Sequence, residues 1–166
     1  MNLCNKVTLI NELATMFATD QAMRKTWLAG APWDDTIDRK HTARMKEIIA
    51  QIGWPRISTF GEDACTHAWL LVQHADHDVA FQRECLVLME ALPAEEVRPS
   101  NLAFLTDRVL MNEGMPQIYG SQLRKNAEGK YEPYDLEEPE GVDARRRAMG
   151  LEVLAEYVKG AKGSLP

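Results

Sequence analysis

The sequence has few cysteines, no long basic block and no long apolar run, and each of these absences excludes a class of protein. Cys4, Cys65 and Cys85 are odd in number and widely spaced, with no C-x-x-C pair, so neither a disulfide framework nor a structural zinc site is expected. The formal net charge is -6, and no Lys/Arg run could neutralise several phosphates, so nucleic acid is not an expected partner. No stretch reaches the roughly 18 consecutive apolar residues of a transmembrane helix, so no membrane partner is expected.

The N-terminal region also lacks the features of an export signal. Residues 1–28 carry polar or charged side chains every few positions, without an apolar core or a small-residue cleavage site. Together with cysteines that suit the reduced state, this pattern predicts a cytoplasmic protein. A chain of 166 residues fits one domain of ordinary size.

Helical periodicity dominates the chain and predicts a mainly α fold, a single-domain helical bundle over residues 1–166. The first helix is expected from about Lys6 to Leu28. The acidic pair Asp34-Asp35 precedes a second helix, which Gly53 and Pro55 close. Further helices are predicted over about residues 62–75, 79–92, 100–112 and 151–157, and another is predicted to begin at residues 142–143. The expected inward face of the first helix consists of Val7, Ile10, Leu13, Phe17, Met23 and Trp27.

Three polar residues are predicted to start helices. Thr59 and Glu62 have the spacing of a capping box, and Ser100 precedes an apolar helical pattern. Asp78 stands where it could cap the helix that begins at residue 79. Each of these side chains would then accept a hydrogen bond from a backbone N–H that has no partner within its helix.

The pattern changes between residues 117 and 136 and predicts a small β-hairpin or ordered loop. Ile118, Tyr119 and Leu123 precede the turn-prone residues 126–129, and two tyrosines follow them. Residues 157–166 are expected to form a frayed tail.

Gln73 and His74 follow the apolar run 70–72, so at least one of them should lie at the edge of the core and require a hydrogen-bond partner. The pKa of a half-buried histidine can be moved across neutrality by its surroundings, which makes His74 a candidate acid or base. A core histidine with all its hydrogen bonds satisfied is the alternative.

Asp107 and Arg108 stand between Leu105 and Val109 in an apolar helix, where charges are costly unless they are paired or face a cavity. Arg108 could bind an anionic group with its planar guanidinium, and Asp107 could orient His74 or pair with an arginine. A purely structural ion pair is the alternative.

The segment from Gln117 to Gln122 is rich in neutral hydrogen-bonding groups, and Gly120 would permit close approach of a backbone. Gln117, Tyr119 and Gln122 could line a polar pocket beside His74, or they could bind the backbone of their own loop. No phosphate loop, dinucleotide fingerprint, nucleophile elbow or H-E-x-x-H motif is present.

A metal site is a further hypothesis. His74 and Asp78 are four residues apart on one helical face, and His77 lies one turn from His74. The pair His77-Asp78 is similar to that of the HD phosphohydrolases, which also need a distant His and Asp, for which His41 and Asp107 are available.

The chain also resembles a bacterial family of unknown function, from the second helix nearly to its end. The resemblance implies no established activity. It does not include His77, and the chain has Pro133-Tyr134-Asp135-Leu136-Glu137 where the family continues with Pro-Ile-Glu-Asp. The matching motifs are Gly53-Trp54-Pro55, Gly61, Trp69-Leu70, Gln73-His74-Ala75-Asp76, Phe81-Gln82, Leu105 with Asp107-Arg108, Gln117-x-Tyr119-Gly120-Ser121-Gln122, and Val142-Asp143-x-Arg145-Arg146 before Gly150-Leu151.

These observations favour a small-molecule-binding protein or enzyme with a polar pocket for a small polar or anionic ligand. His74 and Asp107 are the candidate catalytic residues; no metal is assigned and the cofactor is unknown. The alternatives are a protein-interaction module without catalysis, and a metal-dependent hydrolase that uses His74, His77 and Asp78. The candidate binding residues are Gln73, Asp76, Arg108, Gln117, Tyr119 and Gln122.

Overall fold

The computed structural model describes residues 3–161. These residues form a mainly α structure with two short 3-10 helices and one two-stranded antiparallel sheet, which confirms the predicted fold class. The eight α-helices of the described residues are α1 (Leu3–Leu28), α2 (Asp35–Ile52), α3 (Ile57–Phe60), α4 (Glu62–Gln73), α5 (Val79–Glu90), α6 (Pro99–Asn112), α7 (Val142–Ala148) and α8 (Leu154–Gly160). The strands are β1 (Leu123–Lys125) and β2 (Tyr131–Pro133), and the 3-10 helices are Ala94–Glu96 and Pro139–Gly141.

Backbone proximity divides the chain into two compact units. Unit 1 is Met1–Arg98 and contains α1 to α5, whereas unit 2 is Pro99–Pro166 and contains α6 to α8 and the sheet. The organisation of residues 1–166 as a single helical domain remains a prediction.

The inward face of α1 differs from the expected one. Its buried residues are spaced four, three, four and three apart, which is the stripe of a helix packed on one side. Val7 and Trp27 were expected on that face but are 49% and 38% exposed, so this part of the prediction is wrong. The apolar pattern favoured a neighbouring stripe because the true one contains a carboxylate. The buried residues are Leu9, Leu13, Met16, Asp20 and Met23.

The capping predictions had mixed outcomes. Thr59 lies inside the one-turn helix α3, and α4 begins after Gly61 without a side-chain cap, so the predicted capping box is wrong. Gly61 has φ 83°, a conformation that suits glycine and turns the chain between the two helices. Ser100 lies in the first turn of α6 because that helix already begins at Pro99. Asp78 does cap α5, where its side chain accepts a hydrogen bond from the Phe81 N–H at 3.2 Å.

The predicted hairpin in unit 2 is confirmed. Strand β1 pairs with β2 so that Arg124 stands opposite Glu132, and the two side chains form an ion pair at 3.0 Å. In the turn, Asn126 Oδ1 accepts hydrogen bonds from the backbone N–H groups of Glu128 and Lys130, at 3.1 and 3.0 Å. Such bonds are the reason that asparagine is common in turns.

The last helix extends further than expected. Residues 157–160 of the predicted frayed tail belong to α8, and residues 162–166 lie outside the described residues. Within residues 3–161, no helix combines the length and the apolar character required to span a membrane.

Candidate functional site

Unit 1 contains a buried ionic cluster built from three helices. Asp20 on α1 is fully buried, and both of its carboxylate oxygens lie close to His74 Nδ1, at 2.9 and 3.1 Å. Arg24, one turn further along α1, has its Nε 3.3 Å from both oxygens of Asp20. The Nη2 of Arg24 donates to Asp38 on α2 at 3.0 Å. Two carboxylates therefore share one guanidinium beside a histidine.

Two groups, one a donor and one an acceptor, contact Nδ1 of His74. This atom lies 2.9 Å from Arg24 Nε as well as from Asp20. An unprotonated Nδ1 would direct its lone pair at two carboxylate oxygens, which is repulsive. Arg24 Nε–H donates to an unprotonated Nδ1 at 2.9 Å, whereas a protonated Nδ1 donates to Asp20 and leaves Arg24 Nε–H to the two Asp20 oxygens at 3.3 Å, so each tautomer of His74 has a partner at this atom.

The surroundings of the two carboxyl groups drive their pKa values in opposite directions. Burial acts to raise the pKa of Asp20, but the hydrogen bond from His74 and the positive charges of His74 and Arg24 outweigh it, and the net pKa is lowered. Burial also acts on Asp38, where it prevails over Arg24; the charge of Asp20 adds to it, and the net pKa is raised. Separation of two acidic pKa values within one cluster is typical of acid–base sites.

The position of His74 depends on a buried glutamine of α5. His74 is the C-cap of α4, and its backbone N–H bonds to Leu70 O and Val72 O. Gln82 is fully buried, and its amide nitrogen donates to Val72 O and Gln73 O, both at 3.1 Å, and to Asp76 Oδ1 at 3.2 Å. Both carbonyls lie in the last turn of α4, where the regular helical hydrogen bonds end, so the Gln82 amide adds to their hydrogen bonding and holds the turn that carries His74.

Aromatic side chains stand beside the cluster at the end of α1. The Arg24 guanidinium lies over the Trp33 ring, 4.9 Å from its centroid, in a cation–π arrangement. Trp33 in turn contacts Trp27 edge to face, with ring centroids 5.3 Å apart. Both tryptophans are partly exposed, at 42% and 38%, so the cluster adjoins solvent-accessible aromatic surface.

In unit 2, the predicted residue Asp107 binds the backbone of the loop that follows α6. The side chain is fully buried, and it accepts hydrogen bonds from the N–H groups of Ile118, Tyr119 and Ser121, at 2.9, 3.0 and 2.7 Å. Burial raises the pKa of Asp107, and these backbone hydrogen bonds oppose the rise.

The carbonyl groups of the same loop are bound from the other side. Arg145 Nε donates to Ile118 O at 2.8 Å, and the fully buried Arg146 donates through Nη1 to Tyr119 O at 2.8 Å. The Tyr157 hydroxyl donates to Ser121 O at 2.9 Å. A carboxylate on the N–H side and cations on the carbonyl side together hold the loop in one conformation.

Two of the predicted glutamines also hold this loop. Gln117 Oε1 accepts from the Gln122 N–H at 2.7 Å, and its amide nitrogen donates to Gln122 O at 3.1 Å. The Gln122 amide donates to Ser121 Oγ at 2.9 Å. The side chain of Arg108 is buried on α6, whereas that of Tyr119 is partly exposed.

The sequence-predicted site residues therefore fall into two groups. Gln73, His74 and Asp76 lie together at the end of α4 in unit 1. The other five predicted residues belong to unit 2, and the single pocket predicted for both groups remains a prediction. Those five are Asp107, Arg108, Gln117, Tyr119 and Gln122.

The residues of the metal hypothesis have other partners in unit 1. Asp78 caps α5 and forms an ion pair with Lys46 at 2.5 Å, His74 contacts Asp20, and His77 is exposed. Within the described part of the chain, no group of three or more His, Cys, Asp or Glu side chains could hold a metal ion.

Sequence reasoning missed Asp20, Arg24 and Asp38 as site residues. Asp20 carried a usable signal, because it is a charged residue in the four-three spacing of the buried face of α1. Asp38 and His41 likewise precede Met45 on the buried face of α2. A polar residue at a buried helical position needs a hydrogen-bond partner, which is the signal that Asp20 and Asp38 share with Gln73-His74.

The fold and cluster describe a mainly α protein with a buried histidine–carboxylate–arginine network. The chain belongs to DUF6624, a family of unknown function whose model matches residues 7–164. No curated protein and no solved structure matches the chain.

Proposed function

We propose that unit 1 carries an acid–base site for a small polar ligand, with His74 as the group that exchanges a proton with the ligand or orients it. The observation that carries this proposal is the fully buried Asp20 carboxylate at 2.9 and 3.1 Å from His74 Nδ1. A buried carboxylate at one ring nitrogen fixes the tautomer and stabilises the imidazolium that forms when the other nitrogen takes up a proton.

Arg24 and Asp38 complete the proposed site. Arg24 neutralises part of the negative charge of both carboxylates, which allows Asp20 to remain ionised although it is buried. Asp38, whose pKa is raised, becomes protonated before Asp20, whose pKa is lowered, as the pH falls. Gln73, Gln82 and Asp76 act in the proposal by holding the turn that carries His74.

The remaining predicted residues have narrower proposed roles. Asp107, Gln117 and Gln122 shape the loop from 117 to 122 through hydrogen bonds to its backbone, and Tyr119 is carried on that loop. Arg108, in unit 2, remains a candidate for binding an anionic group, because a buried guanidinium suits a carboxylate or phosphate.

A non-catalytic interaction module is the second candidate function. It is supported by the loop in unit 2, whose backbone donors and acceptors are bound by Asp107, Arg145, Arg146 and Tyr157. Such a network rigidifies a surface without performing chemistry. The two candidates differ in their dependence on His74, which the first requires and the second does not.

The experiment compares wild-type protein with His74→Gln and with the control His77→Ala. His77 is three residues away and exposed, so it matches the location without joining the cluster. A library of small polar metabolites is screened for stabilisation of each protein against heat, and compounds that bind are then tested for turnover.

The proposal expects at least one compound that stabilises the wild type and His77→Ala but not a folded His74→Gln protein. Nitrogen-15 NMR of the imidazole should also report a proton on Nδ1 of His74. A ligand that binds all three proteins equally, or an unprotonated Nδ1, would contradict the proposal and favour the interaction module.

A further inference from the structure

His41 on α2 is a buried histidine whose hydrogen bonding is incomplete. It lies one turn after Asp38 on the same buried face of α2, and the residue is 7% exposed. Its Nδ1 is buried and has no hydrogen-bond partner within residues 3–161. A buried polar atom of this kind is uncommon in folded proteins and requires an explanation.

The position of His41 connects it with the proposed site. The charges of Asp20 and Arg24 both act on its imidazole, and Asp38, one turn away, is bound by Arg24. His41 is thus a second imidazole beside the cluster that contains His74. The buried Nδ1 of His41 therefore lacks a hydrogen-bond partner among the described residues while its imidazole experiences the charges of the cluster.

We propose that His41 Nδ1 binds a hydroxyl group of the ligand, so that His41 and His74 recognise one small hydroxyl-bearing molecule of the alcohol or polyol class. This inference rests on the proposed function of His74 and specifies the ligand that the site accepts.

The ligand class follows from the state of the imidazole. Burial lowers the pKa of His41, and the positive charges of Lys40 and Arg24 act in the same direction, while Asp20 opposes them. The imidazole is therefore neutral near neutral pH. A carboxylate or phosphate oxygen would require a proton on Nδ1 and would favour the imidazolium, which burial opposes. A hydroxyl group can donate to an unprotonated Nδ1 or accept from a protonated one, so it suits either neutral tautomer.

The test is side-chain nitrogen-15 NMR of the histidines during titration of the full chain with small probes. Glycerol, D-glucose and myo-inositol represent neutral hydroxyl compounds, sodium acetate and inorganic phosphate represent anions, and ethylammonium represents a cation. At least one hydroxyl probe should shift the resonances of both His41 and His74, with a Kd of about 1 mM or tighter.

Two variants make the result specific. His41→Phe removes both nitrogens, and His41→Gln retains an amide, so the second serves if the first does not fold. Loss of about tenfold or more in affinity is expected for a folded His41 variant, whereas the exposed control His77→Ala should bind as the wild type does.

Several outcomes would overturn the inference. Shifts of His41 with anions or with ethylammonium alone would contradict the hydroxyl class. If no probe shifts the His41 resonances and Nδ1 of His41 is already hydrogen-bonded in the free protein, then an ordered water molecule, and not a ligand, is the partner of this atom. Failure here is distinguishable from failure of the proposed function, because His74 would still show a protonated Nδ1 and ligand binding that depends on His74.

Discussion

The replacement Asp20→Asn tests the buried cluster most directly, because it keeps the shape of the side chain and removes its charge. Three donors now meet this carboxylate: His74 Nδ1, Arg24 Nε, and the Gln21 amide at 2.8 Å. An asparagine retains one acceptor oxygen but turns an NH₂ group toward these donors. The change should destabilise unit 1 and remove the group that fixes the tautomer of His74.

The expected loss is about 3 kcal/mol of unfolding free energy at pH 7. Removal of one partner from a buried ion pair costs roughly 3–5 kcal/mol, and the retained oxygen places this change at the lower end. Asp38→Asn is the matched control, since Asp38 binds the same arginine at 3.0 Å. The raised pKa of Asp38 means that folding does not favour its ionised form, so its replacement should cost about 1 kcal/mol or less.

The assay is urea unfolding followed by tryptophan fluorescence. All four tryptophans precede residue 99 and belong to unit 1, whereas all four tyrosines belong to unit 2. Tryptophan emission therefore reports the unit that contains the mutations. The midpoint and the slope are fitted together, so that a change in stability is separated from a change in the unfolded state.

The pH dependence supplies a second measurement with a defined sign. The pKa of Asp20 is lowered in the folded protein from its ordinary 3.8, so its stabilisation is fully present above that value. It is lost as the pH falls through the folded-state pKa. The gap between wild type and Asp20→Asn should therefore be constant near neutrality and close in acid below about pH 3.8.

Asp38 should behave in the opposite way. Its pKa is raised above 3.8, so Asp38→Asn should become more stable relative to the wild type as the pH rises through 3.8 toward the folded-state pKa. Equal losses for the two variants at pH 7, or a gap for Asp20→Asn that persists unchanged in acid, would refute this account of the cluster.

Three further changes test other parts of the structure. Gln82→Leu keeps the side-chain volume but removes the amide that binds the end of α4. The unfolding free energy of unit 1, measured by tryptophan fluorescence, should fall by about 2 kcal/mol. An unchanged value would contradict the role of the amide. Gly120→Ala places a Cβ 3.1 Å from two leucine side chains at φ 65°, so the variant should lose about 2–3 kcal/mol of unfolding free energy, measured by tyrosine fluorescence. The control Gly129→Ala has a similar φ of 74° but open space around the new Cβ, and should lose about 1 kcal/mol. Equal losses would show that crowding at Gly120 is unimportant. Asp107→Asn should lower the tyrosine-detected stability by about 2 kcal/mol through weakened bonds to the loop N–H groups, and an unchanged midpoint would argue against that anchoring.

Local features of the fold were predictable because they depend on neighbouring residues. Helical spacing located α1 and α2 nearly to their ends, Asp78 acts as the expected cap of α5, and the turn around Asn126 closes the expected hairpin. The failed capping prediction at Thr59 has a local cause too, since the positive φ of Gly61 lets a separate one-turn helix precede α4.

The candidate site was predictable only in part. The apolar run before Gln73 and His74 indicated that at least one of them lies at the edge of the core, and both are buried. The carboxylate that meets His74 was not identified, because Asp20 is 54 residues away and lies on a face that the apolar pattern did not select. Trp27 was wrongly expected to face inward for the second of these reasons, because the apolar pattern selected a different face of α1 from the buried one.

Sequence alone was sufficient for the mainly α class, most helix boundaries, the hairpin and the burial at Gln73-His74, because periodicity, caps and turns act over a few residues. Only the tertiary structure revealed that Asp20 and Arg24 from α1 and Asp38 from α2 surround His74 at the end of α4. Contacts between helices depend on how their buried faces pack, and no spacing along the chain specifies which carboxylate approaches a given imidazole.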